Sequence, residues 1–426
     1  MPLRLRKRAS HLIFWLCLTI FMSSPKVIWG SDIFPHPFNV DVRSAVLLDA
    51  KSGEVVYGQN PKERIQPASL VKILTLFLVF DAAENGQVSL EENVLVSKKA
   101  WRTKGSKMFI EVGARVPLVE LVKGIAVVSG NDACVAVGEF LQGSEQAFVE
   151  KMNEKLDALG MRDTRVQTTN GLPASDQYTT AADMALLARA YVRAHPEALQ
   201  YHKLTKFTSE GVSQRNRNGL LWLDPSVDGL KTGYVSRAGY HLIATARRED
   251  QRFIAVVMGA KNPKVREREA LRLLNYGFRN YVSMPLLEKG QVLLQLPIWK
   301  GTAEKVGLVA AKSEVITVPV PLKNFVSQQI KAPEKLLAPI RRGEHLGKLL
   351  ITANHKVLKS IALVADREVL QGGLLKRTVD TVVLQCKAHN IRLISVIILS
   401  AVVPSFLWCK SRRRQNRRRQ NRYLPV

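Results

Sequence analysis

Hydrophobic patterning predicts a mixed α/β body with an inserted helical lobe, then a small all-β domain and a C-terminal membrane helix. Three observations carry that prediction. Strand-like runs stand at both ends of the stretch from Ser44 to Tyr281, with apolar helical runs between them. From Pro285 the runs become short and are punctuated by Pro and Gly. From Leu393 to Cys409, seventeen residues pass without a charge, the lower limit of the roughly 17–25 needed to span a bilayer.

Taken in order, Arg4, Arg6, Lys7 and Arg8 precede an apolar run from Leu12 to Met22 and small residues before Gly30-Ser31. That is the layout of a secretory signal peptide over residues 1–30, which stays outside the fold. Ser44 to Asp49 and Glu54 to Tyr57 flank Ala50-Lys51-Ser52-Gly53, a hairpin pattern. Pro67 to Phe80 holds no Gly or Pro after Ala68 and is apolar at nearly every position, so it reads as a helix buried on all sides. A helical run from Pro117 to Val128 breaks at Ser129-Gly130-Asn131, and helix resumes from Asp132 to Leu141. Thr180 to His195 is amphipathic, with Pro196 past its end. Leu230–Tyr234, Ala238–Ala246 and Phe253–Met258 read as successive strands, and Arg266–Tyr281 closes a catalytic domain over 31–283 as a helix.

Short strands near 292–296, 315–320, 349–352 and 359–364 make 284–385 a small β-sandwich-like domain. It carries no cluster of ionisable groups, which fits a spacer or docking surface. The segment 391–409 reads as a membrane helix, kinked at Pro404, and the tail 410–426 holds eight basic residues. Positive charge beside a span stays in the cytoplasm. The body is therefore expected on the outer side of the cytoplasmic membrane.

The formal charge of +27 resembles that of a nucleic-acid binder, but its distribution argues otherwise. The first eight residues hold four basic groups and the tail eight, with no acid in either; without these topology signals +15 remains. An exported basic body suits an anionic wall polymer or lipid head groups, and no nucleic-acid partner is expected. Cys134, Cys386 and Cys409 remain after Cys17 leaves with the signal, and no Cys-x-x-Cys or His-x-x-x-His occurs. Neither a disulfide framework, a metal nor a cofactor is expected.

Ser69 and Lys72 lie three residues apart in the greasy helix, so their side chains share one face. Alone, such a pair more often means a cap and a snorkelling lysine. A buried lysine, however, loses its proton readily, and a neutral amine beside a hydroxyl is a general base beside a nucleophile. Ser129-Gly130-Asn131 and Lys231-Thr232-Gly233 follow in order, at an inter-helix loop and on a strand. Ser-x-x-Lys, Ser-x-Asn and Lys-Thr-Gly together point to acyl transfer. Ser69 attacks and Lys72 takes its proton, while Ser129 and Lys231 are placed to pass a proton to the leaving amine. Asn131 holds Lys72 and substrate backbone, and Thr232 and Lys231 suit a terminal carboxylate. The backbone N–H groups of Ser69 and Tyr234 suit the oxyanion.

On these motifs the sequence resembles the low-molecular-mass penicillin-binding proteins, serine-type D-alanyl-D-alanine carboxypeptidases. The resemblance runs from about Val40 to Val364 and includes Met108-Phe109, Asp132-Ala133-Cys134, Arg217-Asn218-Gly219-Leu220-Leu221-Trp222 and Val227-Asp228-Gly229-Leu230. It implies the penicillin-binding protein/β-lactamase-like transpeptidase fold. It further implies a Ser69 acyl-enzyme that removes the terminal D-Ala from peptidoglycan pentapeptide stems, covalent inhibition by penicillin and other β-lactam antibiotics, and carboxylate binding by Arg217 and Arg266. The family usually ends in an amphipathic helix on the membrane surface, whereas this chain ends in a plain apolar segment and a basic tail. A β-lactamase would need a deacylating Glu, yet Asp163 and Asp176 are the acids between Gly160 and Asp176. An endopeptidase or transpeptidase on this scaffold, or an idle wall-binding protein, are the other readings.

Overall fold

The computed structural model describes residues 38–388 and residue 408. The chain divides between Ser283 and Met284 into two compact units. The signal segment, the basic tail and, apart from Trp408, the expected membrane helix 391–409 lie outside the described residues. Among the described residues no helix is long and apolar enough to cross a membrane.

In the first unit, β1 (Ser44–Asp49) and β2 (Val55–Gln59) form the expected hairpin. The chain then makes a 3-10 turn, Ala68–Val71, that runs into α1 (Lys72–Glu84). Ten of the thirteen α1 residues are buried, leaving no wet face before Asp81. α2 (Leu118–Lys123) passes into a π-helical turn, Gly124–Val128, that stops at Ser129 in left-handed conformation. α3 (Asn131–Gln142) begins two residues later and ends at the left-handed Gly143. α4 (Glu145–Ala158), which the sequence reading passed over, is capped by Ser144, whose Oγ accepts the Ala147 N–H at 3.1 Å. α5 (Ala181–Ala194) is capped by Thr180 in the same way.

Three strands return: β3 (Val227–Val235), β4 (Gly239–Arg248) and β5 (Gln251–Ala260). α6 (Pro263–Asn280) closes the unit, with Asn262 as cap and Pro263 at its first position. The sheet is antiparallel with strand order β2-β1-β5-β4-β3. Pairing of β1 with β5, from Ser44 opposite Met258 to Asp49 opposite Phe253, joins the two ends of the unit. The helices α1 to α5 are therefore an insertion between β2 and β3, as expected. One sheet face packs Val46, Leu48, Ile254 and Val256 into the core with α1 and α5; the other packs Leu47, Phe253 and Ala255 with Leu273 and Leu274 of α6. β3 is left at the edge.

The second unit holds a six-stranded sheet ordered 326–331, 345–353, 356–365, 305–310, 292–299, 336–337. A separate pair joins Tyr281–Leu287 to Glu314–Pro319. Leu308, Leu349, Ile351 and Leu363 fill its core. The expectation of an all-β domain through residue 385 is corrected by α7 (Leu374–Ala388). Here apolar residues recur at helical spacing with no Gly or Pro after Gly373, and charged residues between them hide the pattern. Asp380 accepts the Lys300 N–H at 2.5 Å and Cys386 is buried, while Leu375, Val379 and Val382 stay exposed.

Leu76 is fully buried in α1. Leu76→Ala is expected to cost about 2–5 kcal/mol, the usual cost of an unfilled core cavity. Urea unfolding checks this, and a loss below roughly 1 kcal/mol would mean the lobe collapses around the gap.

Candidate active site

Ser69 lies in the 3-10 turn, one turn ahead of where α1 proper begins at Lys72. The tighter turn keeps the two side chains on one face: Lys72 Nζ donates to Ser69 Oγ at 2.7 Å. The same ammonium donates to Asn131 Oδ1, also at 2.7 Å. Asn131 is the first residue of α3, and its Nδ2 donates to the carbonyl of Lys104 at 2.6 Å. Lys72 is fully buried, and burial, reinforced by the Arg217 charge, pulls its pKa from 10.5 to about 8.

Ser129 is buried in left-handed conformation between the π-turn and α3, and its Oγ makes no hydrogen bond within the protein. From β3 come Lys231 and Thr232, both buried, with Lys231 Nζ donating to the Thr232 carbonyl at 3.1 Å. Burial, then the Lys72 and Arg217 charges, hold Lys231 well below the ordinary lysine range. Gly233 lets β3 approach the Ser69 turn, since a Cβ there would sit 3.1 Å from Ala68 Cβ and 3.3 Å from Ser69 N. Tyr234 is exposed, with its ring against Tyr240 at a centroid separation of 4.3 Å. Arg217 is exposed and donates to Ser106 Oγ at 2.7 Å. Arg266 is buried, donates to the Arg217 carbonyl at 3.1 Å and pairs with Glu267 at 2.8 Å, so it braces Arg217. Three cations thus influence one another beside a hydroxyl, an arrangement suited to acylating that hydroxyl and holding a carboxylate.

Residues 32–262 match the family model described as D-alanyl-D-alanine carboxypeptidase. The chain belongs to that family. Residues 281–371 match the model described as the C-terminal domain of penicillin-binding protein 5. The carboxypeptidase is 36% identical over 356 residues to D-alanyl-D-alanine carboxypeptidase DacA of Escherichia coli strain K12, covering 82% of this chain and 88% of that one. It is 35% identical over 360 residues to DacF of Bacillus subtilis strain 168, covering 79% and 89%. Penicillin-binding protein 5 from Haemophilus influenzae has the same architecture, with a TM-score of 0.77, 34% identity and coverage of 79% of this chain and 99% of that one. The enzyme is a serine peptidase of the D-alanyl-D-alanine carboxypeptidase type.

Several residues that shape the carboxypeptidase site escaped the sequence reading. Gly171 backs onto the Ser69 turn, where a Cβ would lie 1.8 Å from the Ala68 carbonyl oxygen; its Asn-Gly pair was the available signal. Thr75 Oγ1 donates to the Thr169 carbonyl at 2.6 Å and ties that loop to α1. His241 donates from Nε2 to the Gln66 carbonyl and accepts the Gly259 N–H at Nδ1, both at 3.0 Å. His202 donates from Nδ1 to the Leu230 carbonyl and accepts from Tyr191 Oη at Nε2, again at 3.0 Å. Burial depresses both rings to about 4. Nothing local in the sequence marks either ring. Elsewhere Asp81, Glu84 and His195 bring possible ligand atoms within 4.8 Å of one another, although the Lys155 ammonium already sits 2.7 Å from Asp81.

Both histidines stay neutral in the fold and take up protons near pH 6.5 once unfolded. Their contribution to stability is present above about 6.5 and is lost as pH falls to about 4. His202→Asn keeps the donor to Leu230 and removes one titration. It should flatten the fall of the thermal midpoint across that window; an unchanged slope would show that His202 does not titrate on unfolding.

Proposed function

We propose that Ser69 is the nucleophile and Lys72 the general base of a carboxypeptidase acting on peptidoglycan pentapeptide stems. The supporting observation is the 2.7 Å bond from Lys72 Nζ to Ser69 Oγ, made by a lysine that burial holds near pKa 8. Ser69 Oγ adds to the carbonyl carbon of the penultimate D-Ala as Lys72 takes the hydroxyl proton. The resulting oxyanion is met by the backbone N–H groups of Ser69 and Tyr234. Collapse breaks the C–N bond, and the terminal D-Ala leaves as an amine with a proton passed through Ser129. Water activated by Lys72 then hydrolyses the ester and frees Ser69. Lys231, Thr232 and Arg217 hold the terminal carboxylate, and Arg266 supports it from behind Arg217. Edge strand β3 offers its open side to an extended stem peptide, as edge strands do in strand addition. A β-lactam enters by the same attack, its amide bond opening to leave a penicilloyl ester on Ser69.

The body is exported and held at the membrane. α7 presents Leu375, Val379 and Val382 on one exposed face, with Lys376 and Arg377 beside them, and leads toward the apolar segment 391–409. A surface helix followed by an apolar span would join two membrane attachments in one chain.

Intact mass of the full chain with benzylpenicillin should show one persistent adduct, which Ser69→Ala abolishes. Labelling that survives this substitution would place the nucleophile elsewhere. The acylation rate should rise with pH to a plateau above about 8, because the base form of Lys72 is the active one. Arg217→Ala removes a charge that lowers Lys72, so the rising limb should move to higher pH. A limb that stays put or moves down would exclude Lys72 as the titrating base.

A further inference from the structure

Asp132 follows the Ser129-Gly130-Asn131 motif directly and is buried, yet the reaction above gives it no part. Its Oδ1 accepts the backbone N–H of Met108 at 3.1 Å and its own neighbour Ala133 N–H at 3.0 Å; its Oδ2 accepts the N–H of Phe109 at 3.1 Å. Two consecutive amides of a distant loop thus point at one carboxylate. Phe109 is half exposed and left-handed, with φ of 68°. A bulky residue adopts that conformation only where its surroundings hold it there. The same loop is joined to Asn131 at two more points. Asn131 N donates to the Ser106 carbonyl at 2.7 Å, and Asn131 Nδ2 donates to the Lys104 carbonyl at 2.6 Å. Between them stands Gly105, where a Cβ would lie 2.6 Å from Asn131 Nδ2.

The carboxylate also acts through space. Lys72 lies among Ser69, Asn131, Cys134, Asp132, Lys231 and Arg217. Arg217 opposes the charged form of Lys72, whereas the Asp132 carboxylate favours it; the Cys134 thiol, pushed up to about 12 by burial, stays neutral where Lys72 titrates. Asp132 therefore combines an anchor for the 104–109 strap with a counter-charge to the base.

We propose that Asp132 is a positioning residue for acyl transfer: it locks the 104–109 strap against the start of α3, and the strap holds the Asn131 amide on Lys72. The inference rests on the proposed roles of Ser69 and Lys72. Locked this way, the Asn131 amide presents Oδ1 to Lys72 because its Nδ2 is committed to Lys104. Without the anchor, the Phe109 turn relaxes toward negative φ, the Lys104 carbonyl withdraws, and the amide is free to rotate.

The test is Asp132→Asn in the full chain, which keeps size and removes charge. Its amide NH2 must face either the Phe109 N–H or the Met108 and Ala133 N–H groups, so at least one hydrogen bond to the strap is lost. With a peptide ending in D-alanyl-D-alanine, kcat should fall on the order of tenfold to a hundredfold with little change in KM, as for a displaced catalytic group. The rising limb of penicillin acylation should move to lower pH, since both the counter-charge and the Asn131 acceptor favour protonated Lys72. A fall in kcat with the limb unmoved would reduce Asp132 to a fold element and overturn the proposal, as would wild-type behaviour in both. Wild type run alongside separates the two levels: if it forms no Ser69 adduct, the mechanism itself fails. If Asp132→Asn does not fold, Gly105→Ala presses the Asn131 amide from the strap side, and unchanged kcat there overturns the coupling.

Discussion

A lysine with no exposed surface, on a helix otherwise nearly all hydrocarbon, has two ways to exist: paired with a negative charge or close to losing its own. An uncompensated buried ammonium costs several kcal/mol. The partners within hydrogen-bond reach of Lys72 are a hydroxyl and an amide oxygen, both neutral. Arg217 adds like charge, so the amine sits near pKa 8, and in the proposed reaction the same burial that threatens the fold makes the base. The rest of the architecture follows from that constraint. α1 must be covered on every side, which one sheet cannot do, and the helical lobe inserted between β2 and β3 supplies the remaining cover.

Covering α1 would be useless if the turn bearing Ser69 drifted, and the fold spends its most specific contacts there. Gly233 and Gly171 allow strand and loop backbones to close on Ala68 and Ser69 from two directions. His241 fastens the Gln66 carbonyl just upstream, and His202 fastens Leu230 just before Lys231. Both rings act as neutral hinges, donating from one nitrogen and accepting at the other, which a protonated ring cannot do. The segments around 69, 131, 171 and 231 are distant in sequence, and the sheet edge and α1 give them a common frame.

Much of this was legible before any coordinate. A Ser-x-x-Lys pair inside an apolar helix needs only helical periodicity to be seen, and the strands bearing Lys231 announce themselves by composition. What stayed hidden depends on direction rather than identity. Asp132 reads as an acid at a helix start, where acids are common; that its oxygens reach back to Met108 and Phe109 is a fact of loop geometry. Arg266 reads as a second carboxylate clamp, yet its guanidinium turns to Arg217 and Glu267. α4 and α7 were missed because charged residues dilute their apolar stripes, and Ser69 fell in a 3-10 turn because helix starts cannot be placed to a single residue from sequence.

Charge shows the same limit. A body at +15 describes solubility and steering, but the decisive excess is local: Lys72, Lys231 and Arg217 influence one another with Asp132 in partial answer. In the proposed reaction such a site is completed by a carboxylate, and an apolar or cationic peptide end would leave its cations answered by Asp132 and solvent alone. In the proposed reaction the terminal D-Ala brings that carboxylate and, once the C–N bond breaks, carries it away. Binding is therefore strongest for the chain end still to be cut, and loss of the leaving group returns Lys72 to the surroundings that favour its neutral form. The step that frees the acceptor side for water also restores the base that must activate it.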